Sequence, residues 1–282
     1  MEEAEMCEDS GNVHWLGGPG SLQPATVGAE MAAISSLHGK FVVPAGFCLP
    51  MTFCPRWDDT AGLEAVLRAA VSRFPRGDAG SAPSLRVRAS VGLDQRAPRM
   101  RLPRAPSFHN VGEDALVEAV MESAAPFLSA RRRGQVEPGC VPSRVVVVVQ
   151  RFERPRAWIS ASFDPEAAGR VVVLRAGWGL REDDDVADLL VIDGATRAVV
   201  GGQVADKRRM TIDAEGGGVR ETEVQAELRE TPCLDGRTAR EIASRTLELV
   251  SVLPTPVRLE LELTKGRLHL LGVPSLNAVT ES

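Results

Sequence analysis

Residues 145–180 read VVVVVQRFERPRAWISASFDPEAAGRVVVLRAGWGL, three apolar, β-branched runs in succession with short connections between them. The run 145–149 is unbroken valine between Pro142 and Arg151, and its length and composition predict a strand buried on both faces rather than a helix. Residues 158–163 read as a second strand, Asp164-Pro165-Glu166 through Gly169 as a turn, and residues 171–175 as a third strand. The pattern predicts an antiparallel meander at the centre of a sheet, with the binding residues along its strands.

Outward from this stretch the signals are mostly periodic. Toward the C-terminus, residues 186–192 and 198–200 flank Asp193-Gly194-Ala195-Thr196-Arg197 and predict a hairpin. Residues 208–230 are polar with a turn at Gly216-Gly217-Gly218, and residues 238–252 carry Ile242, Leu247, Leu249 and Val250 on a predicted helix. Residues 257–263, VRLELEL, alternate strictly and lead through Lys265-Gly266 into residues 268–271, a second hairpin. Toward the N-terminus, residues 113–132 carry Leu116, Val120, Ala124 and Phe127 at helical spacing, and residues 85–91 alternate Leu85, Val87, Ala89 and Val91 against Arg86, Arg88 and Ser90. Helices are expected after Asp58, Asp59 or Thr60, running to Phe74, and after Thr26 as N-cap, on Val27, Met31, Ile34 and Leu37. These signals divide the chain into a loose acidic tail over residues 1–20, an N-terminal lobe over 21–143 and a C-terminal lobe over 144–282.

The composition, 44% hydrophobic and 25% charged, is that of a globular chain able to bury a core. A net charge of −5 argues against nucleic-acid and anionic-membrane partners, which call for a basic face. The five cysteines are scattered, with no CxxC pair and no histidine at zinc-site spacing, and read as free thiols of a reducing compartment. No apolar stretch has the length of a membrane span and the start MEEAEMCEDS lacks the basic and apolar parts of a signal peptide, so a cytoplasmic location is expected.

Taken in order, VGAEMAAISSL, VPAGFCLP, LRVRASVGLD, FHNVGEDALVEAV, VVVQRF with SFDP, GWGLRE with LLVID and DKRRM, and LELELTKGRLHLLGVP resemble the N-terminal nucleotide-binding domain of phosphoenolpyruvate synthase, pyruvate phosphate dikinase and rifampicin phosphotransferase. The resemblance implies an α+β, two-lobed ATP-grasp-like fold with an antiparallel sheet in the C-terminal lobe. It implies a domain that holds MgATP between its lobes and phosphorylates a histidine on a separate swivelling domain. That swivelling domain is not encoded here, so the phosphohistidine acceptor would be a partner protein. Arg88 stands where the family's VRSS arginine meets ATP phosphates, Gln150 near the adenine-binding hinge, and Glu260 where a glutamate helps hold Mg2+. Read without the family, Arg88 is an exposed strand residue, Gln150 a strand terminus and Glu260 one polar position of an alternating hairpin.

Several positions depart from the family pattern. The phosphate-binding lysine of the family's VGGKG falls on Glu30, whose carboxylate is expected to repel ATP, so that reversing its sign should tighten nucleotide binding. The closing glutamine and arginine fall on Gly272 and Pro274, and the glycine-rich phosphate loop is replaced by RAPRMRLPRAPS. A family glycine is Trp158, an indole able to fill part of the cleft. Loop arginines Arg96, Arg99, Arg101 and Arg104 are the available substitutes for the lost cations. Phosphoryl transfer depends on positioning and charge neutralisation, so these losses bear on the mechanism itself. Two readings follow: a degenerate or partner-dependent module with weak or no phosphotransfer of its own, or an active MgATP-using subunit of a split phosphotransferase.

Overall fold

The computed structural model describes residues 13–51, 60–76, 81–92, 100–102, 105–132, 144–166, 170–181, 186–253, 256–273 and 278–280. The readings placed on Asp58, Asp59, Arg96, Arg99, Arg104 and Pro274 lie outside them, as does the side chain of Arg101. The chain forms two units, Met1–Phe152 with Glu215–Gly218 and Asn277–Ser282, and Glu153–Ala214 with Val219–Leu276.

The first unit contains β1 (His14–Trp15), helix α1 (Pro24–Ser36), β2 (Gly46–Met51), α2 (Thr60–Val71), β3 (Leu85–Gly92), β4 (Met100–Leu102), β5 (Phe108–Val111), α3 (Leu116–Arg132) and β6 (Arg144–Arg151). Its sheet has the order β1-β2-β6-β3-β5 and every pair is antiparallel. The valine run forms the central strand. Val145, Val147 and Val149 lie in one core with Phe47, Leu49, Leu85 and Val87, with Leu63 and Leu67 of α2 and with Leu116, Val120 and Ala124 of α3. The opposite face takes α1, which buries Val27, Met31 and Ile34. Burying a valine or leucine contributes roughly 1.5–3 kcal/mol, so a strand with apolar residues on both faces is held most strongly between two neighbours and two layers.

This corrects the meander expected from sequence. β6 pairs with β2 on one side and β3 on the other, so it belongs to the first unit, and the division falls after Phe152 rather than at residue 143. A run buried on both faces specifies the layers above and below but leaves its lateral neighbours open. A second difference concerns α1: Thr26 lies inside the helix that begins at Pro24, and the break falls at Gly28, whose φ of 78° and ψ of 160° suit glycine alone.

The second unit contains β7 (Ala157–Phe163), β8 (Val171–Trp178), β9 (Asp188–Asp193), β10 (Val199–Gln203), β11 (Arg209–Asp213), β12 (Val219–Glu223), α4 (Ala226–Arg229), α5 (Gly236–Glu248), β13 (Val257–Thr264) and β14 (Arg267–Gly272). Six strands form a sheet of order β10-β9-β8-β7-β13-β14, antiparallel throughout. β11 and β12 form a separate hairpin, and β15 (Ala278–Thr280), in the first unit, pairs in parallel with β4. The Asp235 side chain accepts from the Thr238 amide at 2.7 Å and caps α5, which buries Ala239, Ile242 and Ala243 and lies against β7 and β8. Both predicted hairpins are present, and the chain is α+β with an antiparallel sheet in its C-terminal unit. Among the described residues no helix is long and apolar enough to cross a membrane.

Lys207 and Asp188 form an ion pair inside this unit, Nζ to Oδ1 2.5 Å, with each side chain 1% exposed. Nζ also donates to the Ala205 carbonyl at 2.9 Å, while the carboxylate accepts from the amides of Ala205 and Cys233. Burying two charges is tolerable only with this degree of hydrogen bonding.

Candidate functional site

In the first unit, strand alternation places Arg86, Arg88 and Ser90 on the face that α1 covers, opposite Gln150, Val148 and Val146 of β6. Glu30, on α1 just past the Gly28 break, meets this row. Arg88 Nη1 donates to Glu30 Oε1 at 2.9 Å and Ser90 Oγ donates to Oε2 at 2.7 Å. The two charged side chains are 15% and 16% exposed. Cys48, across β6 from Arg88, has its thiol pushed up to about 12, by burial first, with Glu30 adding to the effect and Arg88 opposing it. The arginine expected to meet phosphate is therefore held by a carboxylate from its own unit. The glutamate expected to repel an anion is neutralised by that same arginine.

Gln150 is 1% exposed, and among the described residues neither its Oε1 nor its Nε2 has a hydrogen-bond partner. Its side chain lies across Gly46, where a Cβ would come within 2.7 Å of its Cγ. Beside it in the register, buried Arg86 donates from Nε to His109 Nδ1 at 3.0 Å, and its guanidinium lies over the Phe152 ring at 5.6 Å. Burial, then the Arg86 charge, lowers the His109 pKa to about 3, so the ring is neutral and its Nδ1 is the acceptor of that bond.

In the second unit, Glu260 pairs in register with Ser160, which pairs with Arg175, and Glu262 pairs with Trp158 and His269. By alternation Trp158, Ser160, Arg175, Glu260 and Glu262 share the sheet face opposite to Ile159, Ala161 and Leu261. Arg181, which follows β8, donates from Nη1 to Glu260 Oε1 at 3.1 Å and lies 5.5 Å from the centre of the Trp158 ring. Trp158 is 4% exposed and lies across Gly177, where a Cβ would stand 2.5 Å from Nε1. That nitrogen is buried and has no hydrogen-bond partner among the described residues. The indole thus fills space on this face of the sheet, and the missing side chain at residue 177 makes room for it.

A magnesium site at Glu260 does not fit these surroundings. The carboxylate already carries a guanidinium, and among the described residues no group of three or more His, Cys, Asp or Glu is placed to hold a metal ion. Gly272, opposite Glu260 in the register, brings no side-chain oxygen. Sequence reasoning named Glu260 and missed Arg181. An arginine past the end of a strand carries no periodic signal, and only the tertiary fold brings it to residue 260.

No family model matches the chain, and no curated protein matches it. Among solved structures it is similar to D-alanyl-alanine synthetase A from Vibrio cholerae O1 biovar eltor, with 14% identity and a TM-score of 0.32 over 86% of this chain. The match spans 56% of that protein's length. At that level of likeness, the site is read from its own residues.

Proposed function

We propose that the chain is a module of the ATP-grasp type, akin to the nucleotide-binding domain of phosphoenolpyruvate synthase-like phosphotransferases, whose phosphotransfer is weak or depends on a partner protein. One observation carries this reading. Arg88 and Glu260, the residues that match the family's phosphate and metal ligands, are each engaged by an opposite charge of the chain itself, Glu30 and Arg181. An arginine already paired with a carboxylate offers a phosphate less of its charge. A glutamate already paired with a guanidinium is a poor ligand for a divalent cation. Without both, the developing charge of a transferring phosphoryl group goes unmatched.

The deciding experiment is ATP hydrolysis by the purified chain with magnesium, alone and with a phosphohistidine swivelling-domain protein. The expected result is turnover at background alone. Rapid hydrolysis by the chain alone, abolished by Glu260→Gln, would overturn this reading and favour an active subunit of a split phosphotransferase.

A further inference from the structure

The guanidinium of Arg181 is positioned as a resident cation of the second unit. Its Nη1 is committed to Glu260 and its plane lies near the Trp158 indole, an arrangement that limits its freedom. Nε and Nη2 make no hydrogen bond among the described residues, and the side chain remains 34% exposed. These two N–H groups form one edge of the fork, the geometry that takes an oxyanion through two parallel hydrogen bonds. A second feature of the same sheet face is the buried Trp158 Nε1, a donor without an acceptor among the described residues. Burying an unpaired donor costs about 1–3 kcal/mol, and the ring that carries this one has its centre 5.5 Å from the Arg181 guanidinium carbon.

We infer that this face binds phosphoryl oxygens without a metal ion, through the two N–H groups of Arg181 that Glu260 leaves open, with Glu260 serving to hold the guanidinium in place. The inference deepens the proposed function and rests on it only for the ligand's being a nucleotide; the oxyanion chemistry stands on Arg181 and Trp158. Glu260 is then a positioning residue, and its carboxylate weakens the anion's binding by repulsion. The opposite holds if Glu260 is a metal ligand, so the two roles differ in the sign of a single substitution.

The test is calorimetric titration of the full chain with ATP and, separately, with inorganic tripolyphosphate, each in excess EDTA and in excess magnesium. The natural protein is expected to bind tripolyphosphate in EDTA with an affinity within about threefold of that in magnesium. Arg181→Ala should lose at least about tenfold in EDTA, with Arg181→Lys in between because it keeps the charge and loses the fork. Glu260→Gln should bind as tightly or several-fold more tightly. Binding of both probes supports the inference together with the nucleotide reading. Binding of tripolyphosphate but not ATP, lost in Arg181→Ala, supports the inference while overturning the nucleotide reading. Binding that appears only with magnesium, or that Glu260→Gln abolishes, overturns the inference and leaves the nucleotide reading in place. Absence of any binding in EDTA overturns it as well. Unfolding midpoints of each variant separate a lost site from a lost fold.

Discussion

The Glu30–Arg88 pair shows how much a charge depends on its neighbour. Read from sequence, Glu30 is an anion where a cation is wanted, and reversing its sign looks helpful. In the structure its carboxylate is gripped by Arg88 and Ser90 in a place where both charged side chains are mostly covered. Glu30→Lys would set two cations face to face there. It is therefore expected to lower the unfolding free energy by about 3 kcal/mol in chemical denaturation, with partial recovery when Arg88→Glu is added. Unchanged stability in Glu30→Lys would show that the pair contributes nothing. His109 gives a second test at this scale. Its folded-state pKa lies near 3 against an ordinary 6.5, because burial and Arg86 exclude the proton. The unfolded chain therefore binds the extra proton, and this contribution to stability is complete above about pH 6.5 and is lost as pH falls toward 3. Its slope approaches about 1.4 kcal/mol per pH unit inside that window. His109→Gln keeps an acceptor for Arg86 and cannot titrate, so its stability should fall less than the natural protein's between pH 7 and pH 5.

At the scale of elements, periodicity was a sound guide where one face is apolar and a poor one elsewhere. The strands Leu85–Gly92, Val257–Thr264 and Arg267–Gly272 and the helix Leu116–Arg132 were legible because their apolar residues recur at the period of the element. The hairpin of Arg209–Asp213 and Val219–Glu223 was not, since RMTID and VRETE present mostly exposed or half-exposed side chains and leave only the Gly216–Gly218 turn as a signal. Glycines mark two points where an element's geometry has no slack. At Gly177 a methyl group would stand 2.5 Å from the Trp158 nitrogen. Gly177→Ala is expected to cost about 1–3 kcal/mol and to change the indole's fluorescence, while the same change at Gly39, which has open space around it, should leave the emission unaltered. At Gly28 the backbone itself is the constraint, with φ at 78° and ψ at 160°. Gly28→Ala should destabilise the first unit by about 1–3 kcal/mol through strain alone, measurable as a shift in its denaturation midpoint.

For the molecule as a whole, the position of one strand decides what counts as a folding unit. Ending the first unit at residue 143 would remove β6, the strand that joins β2 to β3, and with it Val145, Val147 and Val149 from the core. A fragment of residues 1–152 is expected to unfold cooperatively with the circular dichroism of a mixed helix and sheet, and a fragment of residues 1–143 to show no cooperative transition. Equal behaviour of the two would mean that β6 is dispensable to the sheet. The lateral place of this strand was the largest part of the fold hidden from the sequence, because five valines carry no mark of which neighbours they meet. Two electrostatic pairs were equally hidden: Arg181 with Glu260 and Lys207 with Asp188 join residues of different elements with no fixed spacing to mark them.

Lys207 turns that concealment into a clock. The chain has three lysines, and Lys40 and Lys265 are exposed while the Lys207 side chain is 1% exposed and bound to Asp188. An amine-acylating reagent will modify the first two at the rate of its own chemistry. It reaches the third only when the interior of the second unit admits it. The lag of the acyl group on Lys207 itself, followed in the peptide that carries it, thus measures how often that interior opens under native conditions, without denaturant and without an introduced label.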